Sequence, residues 1–226
     1  MSFLSTDTQI EVKQLFEGLT GEVRLLFFTL RESPLIIPGR GCETCKDTRL
    51  LLEEVVSLTD KIKIEVHDFE AESDLARELG IDRIPAFVIA GDGVKGKVRY
   101  FGMPSGYEFS VFLGALLDAS NGKSGLSEAS LETVQSVDTD LHIQVFVTPT
   151  CSYCPQVARL AHKLAIESKH VTADVIEVTE FPNLAQRYAI RGVPKTVINE
   201  TVEFVGNVPE TEFIEHVRRA SHSSKD

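Results

Sequence analysis

No apolar run in this 226-residue chain approaches the roughly 18 residues that span a bilayer. Residues 1–11 hold acids and hydroxyls where a secretory signal needs a basic start and an apolar stretch. These two absences predict a cytoplasmic protein with no membrane partner. Basic residues are also in deficit, with 23 Lys and Arg against 34 Asp and Glu and a formal net charge of -11. Phosphate contacts need clustered Lys and Arg, so the balance argues against nucleic acid or an anionic membrane as main partner. Cysteine is scarce as well. All four cysteines lie in two CxxC motifs, which leaves none for structural bridges. In a reducing compartment that usage points to redox chemistry or metal binding rather than stapling.

What is present comes twice. Cys42-Glu43-Thr44-Cys45 is followed by Ile84-Pro85, and Cys151-Ser152-Tyr153-Cys154 by Val193-Pro194. In both copies the proline lies 40 residues after the second cysteine, and the copies are offset by 109 residues. One CxxC is a weak signal; two with matched prolines define a duplicated dithiol unit. The length suits two domains of about 100 residues each. With 42% hydrophobic residues there is apolar material for two cores. A small, polar stretch at residues 119–125 marks the boundary, giving domains of residues 1–120 and 121–226.

The halves align element by element. Helix-like apolar spacing occurs at residues 8–19 and 126–137, with Ser127 as an N-cap. Apolar runs at 23–30 and 143–148 read as buried strands. Each CxxC then opens a helix, at 45–59 and 154–168, followed by second strands at 61–67 and 173–178. Short helices carry Leu75-Ala76 and Leu184-Ala185. Beyond each proline comes a hairpin, then a closing helix from near Tyr107 or Glu210. Glu108-Phe109 stays aligned with Glu212-Phe213. The copies differ before the cysteines, where residues 31–41 stand against only Pro149-Thr150; the role of this insert is not legible.

Cysteines three apart at a helix start lie on one face, with alpha carbons about 5–6 Å apart and within disulfide range. The helix end offers unpaired N–H groups and a positive dipole, which stabilise a thiolate on the first cysteine. Lowering a thiol from about 8.5 to about 7 takes roughly 2 kcal/mol, which these groups can supply. Cys42 and Cys151 are therefore the expected nucleophiles, and Cys45 and Cys154 the resolving thiols. Pro85 and Pro194 would form tight cis turns beside the pairs. Their bulk would shield the sulfurs while the preceding backbone pairs with an extended substrate.

Strand, CxxC at a helix start, second strand and Ile-Pro or Val-Pro before a hairpin resemble the thioredoxin fold. Two such units resemble the tandem protein disulfide oxidoreductases of thermophilic archaea and bacteria, over nearly all of residues 5–219. The segment Gly102-Met103-Pro104-Ser105-Gly106-Tyr107-Glu108-Phe109 is similar to that family too. The resemblance implies an α/β fold of two tandem thioredoxin-like domains, each a mixed central sheet flanked by helices. It also implies reduction, formation and isomerisation of protein disulfides, with electrons from a thioredoxin-reductase-like flavoenzyme and no cofactor or metal of the chain's own. Departures are specific. With no Trp in the chain, Gly41 and Thr150 precede the motifs. Val145 and Phe146 stand on the strand where thioredoxin keeps a buried acid, and the Gly-Gly with an acid that holds glutathione in glutaredoxins is missing near Gly206-Asn207.

Asp68 and Glu177 share one place in the repeat. Each would be a proton relay for its resolving thiol or, on the simpler reading, a turn or cap residue for the next helix. His67 has no repeat mate and reads as a half-exposed strand histidine, Tyr153 as a rim residue and Pro155 as part of the helix start. Glu43 opposes a thiolate at Cys42, offset by Arg40, Lys46 and Arg49, whereas no charge adjoins Cys151. That contrast makes Cys151 the expected entry point for protein substrates. Three other readings stay in view. A structural zinc site built from all four cysteines would need the pairs gathered across 105 intervening residues, where zinc ribbons usually have about 15–20. Tandem thioredoxin folds are also similar to the N-terminal part of the flavoprotein that reduces peroxiredoxins, an electron-transfer module keeping only its second CxxC. The third is a non-catalytic module that holds unfolded chains.

Overall fold

The structure, a computed structural model, describes residues 2–31 and 41–223. Arg40 and most of the insert fall outside the described residues. The first repeat runs α1 (Thr6–Phe16), β1 (Val23–Thr29), α2 (Cys45–Val56), β2 (Ile62–Asp68), α3 (Ser73–Leu79), β3 (Ala86–Gly91), β4 (Lys97–Phe101) and α4 (Glu108–Asn121). The second runs α5 (Glu128–Gln135), β5 (Leu141–Val147), α6 (Cys154–Glu167) and β6 (Val171–Glu177). A 3₁₀ turn (Val178–Glu180) leads from there to α7 (Pro182–Arg187), β7 (Lys195–Ile198), β8 (Val202–Val205) and α8 (Glu210–Ser223).

Local chemistry sets these elements. Ser5 and Ser127 cap α1 and α5, accepting from the Thr8 and Ser130 amides. The helix α1 thus begins two residues earlier than periodicity alone indicates. Strand alternation sends Val23, Leu25 and Phe27 to one face and Leu26 and Phe28 to the other. The first face carries the larger core, under α1, α2, α4, α5, α6 and α8. The second is covered by the short helices α3 and α7, with Phe28, Phe101, Phe146 and Ile176 beneath them.

Each repeat contributes four strands, and the strands form one sheet in the order β2-β1-β3-β4-β6-β5-β7-β8. The seam is the parallel pair β4–β6, in register from Lys97↔Thr172 to Phe101↔Ile176. Joining two edges satisfies backbone groups that would otherwise stay open to solvent or to another chain. The join is head to tail: the hairpin edge of the first repeat meets the crossover edge of the second. Helix α4 therefore lies beside α6, whereas its repeat mate α8 lies at the outer end with α5, β7 and β8.

Two features hold the seam. Arg99 on β4 donates to Asp174 on β6 through Nε (2.6 Å) and Nη2 (2.8 Å), and its Nη1 donates to the Leu79 and Gly80 carbonyls. His142 Nε2 lies 2.6 Å from the same carboxylate. Burial pushes the Asp174 carboxyl up, but His142 and the Arg99 guanidinium outweigh it and hold the group below its ordinary range. On the other face, α4 and α6 run side by side in the same direction. Arg159 pairs with Asp118 at 2.6 Å, and Glu167 accepts from Ser124 Oγ at 2.8 Å. Gly114 leaves room for the Arg159 guanidinium, which a Cβ there would displace.

Candidate functional site

Both CxxC motifs sit where a strand gives way to a helix. β1 leads toward Cys42 and α2 starts at Cys45; β5 leads to Cys151 and α6 starts at Cys154. Each pair is closed as a disulfide, with alpha carbons 5.4 Å and 5.5 Å apart. The four sulfurs are paired two by two. Thr44 and Tyr153 occupy the N-cap positions without side-chain caps, so the first-turn N–H groups are not taken up by a capping oxygen. In both repeats the first cysteine is half-buried and the second buried, Cys45 at 5% and Cys154 at 0% exposure. Pro155 stands in the first turn of α6, where proline fits a helix start.

The prolines fall at matching positions. Ile84-Pro85 and Val193-Pro194 are both cis, and the Pro85 and Pro194 carbonyls each accept at 2.8 Å, from Gly102 and Gly206. At the second site Cys151 Sγ lies 3.7 Å from the Val193 carbonyl oxygen. Tyr153 is 66% exposed beside it, a rim position.

Asp68 and Glu177 occupy turn and cap positions. Asp68 accepts at 3.0 Å from the Glu70 and Ala71 amides. Glu177 accepts from the Thr179 and Glu180 amides and from the Thr179 hydroxyl. Glu177 is the deeper of the two. Burial pushes its carboxyl up, with the Glu180 charge adding and the Thr179 bonds opposing. His67 lies against Glu72 (2.8 Å) and stacks on Phe28.

Glu108, Tyr100 and Glu180 take settings at the seam that the sequence reading did not assign them. Glu108 opens α4 and is fully buried, and neither carboxylate oxygen has a hydrogen-bond partner among the described residues. Burial, and then the charge of Glu177, raise it to about 8. Tyr107 donates from its amide to the Pro149 carbonyl at 2.9 Å, which ties the start of α4 to the segment entering the second motif. Glu108 directly follows Tyr107 in the chain, so it enters the core next to the residue bonded to Pro149, two positions before Cys151. Tyr100 is also fully buried with its hydroxyl unpartnered among the described residues, and burial plus Glu108, Glu177 and Glu180 raise its phenol further. Glu180 accepts from the Thr44 hydroxyl inside the first motif. The repeat mate of Glu108, Glu212, is exposed on α8.

The first site has its own charges. Arg31, Lys46 and Arg49 line a pocket with Cys42 and Cys45, and Arg49 is paired with Glu53 at 2.8 Å. Arg31 adds to the cations read from the sequence; Arg40 lies outside the described residues.

Such geometry, a mixed sheet whose strand-to-helix junction carries a disulfide-forming CxxC, defines the class of thioredoxin-fold redox proteins. The family described as Thioredoxin domain matches residues 35–113 and 141–218, more than half of the sequence. The chain belongs to that family, present in two tandem copies. A crystal structure of a protein disulfide oxidoreductase from Aeropyrum pernix K1 superposes with a TM-score of 0.86 and 28% identity, covering 99% of this chain and 96% of that one. The alkylhydroperoxide reductase AhpF of Enterococcus faecalis shares the fold, with a TM-score of 0.83 at 24% identity over 95% of this chain and 99% of that one. The F subunit of the Escherichia coli K12 alkyl hydroperoxide reductase is 25% identical over 211 residues, 93% of this chain and 37% of the relative. The chain thus spans between 26% and 37% of the length of these curated relatives. Among the described residues no helix is long and apolar enough to cross a membrane.

Proposed function

We propose that this chain is a cytoplasmic thiol–disulfide oxidoreductase that reduces, forms or isomerises protein disulfides, with residues 1–120 and 121–226 as its two units. The observation that carries the reading is the repeated arrangement of a half-buried cysteine, a buried partner three residues on and an uncapped helix start. Cys42 and Cys151 are the nucleophiles. The thiolate of Cys151 attacks a substrate disulfide, a mixed disulfide forms, and the departing substrate sulfur takes a proton. Cys154 then loses its proton and attacks Cys151 sulfur, which releases the second substrate thiol and closes the protein's own disulfide. Two electrons have passed to the substrate. A flavoenzyme of the thioredoxin-reductase class would return them.

Glu108 is the acceptor for the Cys154 proton in this scheme. A carboxyl raised to about 8 is matched to a thiol near 8.5, so transfer in either direction is close to balanced. Asp68 and Glu177 shape the turns that follow β2 and β6. Cys151 meets protein substrates, with Val193 backbone beside it, while Cys42 and Cys45 exchange electrons with it or with the reductase.

Insulin disulfide reduction and refolding of a scrambled disulfide protein, each with single-motif cysteine variants, test the reading. Activity in either assay that disappears with the cysteines is expected; activity surviving replacement of all four would overturn it. A second reading is supply of electrons to a peroxide-reducing partner. It is favoured by the curated relatives, several of which are named as the F subunit of an alkyl hydroperoxide reductase. Transfer of reducing equivalents to a peroxiredoxin, without isomerisation of scrambled disulfides, would select it.

A further inference from the structure

The first CxxC motif is held from the other repeat. We propose that Glu180, carried by the second repeat, is a positioning residue for the first dithiol, fixing the motif's loop and the charge beside Cys42 and Cys45. This inference rests on the redox reading of the pair.

Glu180 ends the 3₁₀ turn that follows β6. The seam pairs β6 with β4, so that turn arrives beside residues 102–103, which follow β4. One carboxylate oxygen accepts from the Thr44 hydroxyl, and the other accepts from the Met103 amide at 2.6 Å. Thr44 is the N-cap residue of α2, yet its hydroxyl makes no cap bond to the helix. The hydroxyl is committed to Glu180 instead. Gly102 completes the arrangement: at φ +100° it leaves open the space into which Glu177 and Glu180 fit, and a Cβ there would come within 2.8 Å of each.

None of this is repeated at the second site. The repeat mates of Glu180, Thr44 and Met103 are Ala71, Tyr153 and Asn207, which cannot make the same bonds. Other charged or titratable groups around Glu180 are Glu177 at the end of β6 and Tyr100 on β4, with Glu108 on α4 facing those two. Arg83 reaches over the neighbouring Phe181 ring at 5.8 Å, Glu43 lies within the motif and Lys46 directly follows it. A carboxylate bonded at the start of α2 shares the positive helix end with the sulfur anion and opposes that anion directly. The expected result is a first dithiol less acidic and more reducing than its own helix end would make it.

The test uses the full chain with Cys151→Ser and Cys154→Ser, so that only the first pair reports. Alkylation of Cys42 is followed against pH, and the pair is equilibrated with a dithiothreitol redox buffer. Glu180→Gln keeps the shape and a hydrogen-bonding group while removing the charge. It should speed alkylation near pH 7 by about three- to tenfold and shift the equilibrium toward the dithiol by a similar factor. Thr44→Val removes the donor and should move both readings the same way by a smaller factor. If both variants titrate and equilibrate like their parent, the proposal is wrong. If the parent pair itself does not oxidise and reduce reversibly, the redox reading fails instead.

Discussion

Beside Cys42 and Cys45 stand three cations, Arg31, Lys46 and Arg49, and a carboxylate reaching over from the second repeat. The second motif has no charged residue within it, and the segment entering it is bonded to Tyr107, next to Glu108, which is fully buried and without a hydrogen-bond partner among the described residues. Yet the motifs share spacing, helix position and partner proline. Part of the difference is local sequence, since Pro155 and Ala158 stand where the first repeat has Lys46 and Arg49; the carboxylates come from how the repeats are joined. A twofold join would give both sites the same neighbours, whereas a head-to-tail join puts each in a different setting. Duplication supplied two dithiols of the same spacing, local charges set them apart, and the β4–β6 seam added a further difference.

The largest effect should separate the two nucleophiles. Cys151→Ser is expected to lower insulin disulfide reduction by about a hundredfold or more, and Cys42→Ser by clearly less, because the resolving step still runs at the second site. Steady-state reduction rates of the two variants, side by side, check this. A larger loss from Cys42→Ser reverses the assignment.

The seam itself can be weakened. Asp174→Asn leaves the buried Arg99 guanidinium short of its anionic partner and should cost about 3 kcal/mol in urea unfolding. The carboxyl is depressed in the folded state. Its contribution is therefore present above the ordinary carboxylate value and is lost as pH falls below it, so the variant and parent should converge at strongly acidic pH. A cost that stays constant down to pH 2 would show that the charge is not what matters.

Glu108 sharpens the contrast further. Glu108→Gln should slow the second site about tenfold while leaving alkylation of Cys42 unchanged. The same substitution should stabilise the fold, with a definite pH dependence. The folded-state value is near 8 against an ordinary 4.5, so stability is full below 4.5 and falls as pH rises toward 8, where the unfolded chain has released the proton and the folded chain has not. The gain from glutamine should be absent at pH 4 and reach on the order of 4 kcal/mol by pH 8. Melting curves at the two pH values decide it, and an equal gain at both would mean that the carboxyl is not titrating.

Much of this was legible in the sequence. Continuous apolar runs placed the first strand of each repeat, Ser127 announced α5, and the CxxC pairs opened their helices as helix-end chemistry requires. The seam was not legible. Strand periodicity reports which faces are buried, not which edge meets which, so nothing local assigned β4 to β6. One trace was present: Arg99, His142, Gln144 and Asp174 interrupt otherwise apolar strands on a single face. Polar residues on buried strands need partners, and here three of the four are partnered across neighbouring strands. Glu108 was visible as the aligned mate of Glu212, but only the join decides that one is enclosed and the other faces water. Glu177 read as a cap from its position and makes cap bonds, while its depth again follows from the seam.

The smallest effect isolates that join most cleanly. Gly102 and Gly206 are repeat mates that follow β4 and β8, with φ of +100° and +105°. Alanine at either position carries the same left-handed strain, about 1 kcal/mol. Their surroundings differ. A Cβ on Gly206 meets nothing within 4 Å, whereas on Gly102 it comes within 2.8 Å of both Glu177 Cβ and Glu180 Oε1. Gly102→Ala should therefore cost about 1–2 kcal/mol more than Gly206→Ala in denaturant unfolding. It should also move the first dithiol's titration, because Glu180 must shift, and Gly206→Ala should not. Equal costs would mean that the residues after β4 and β6 do not meet as described. The second site's burial of Glu108 would then need another cause.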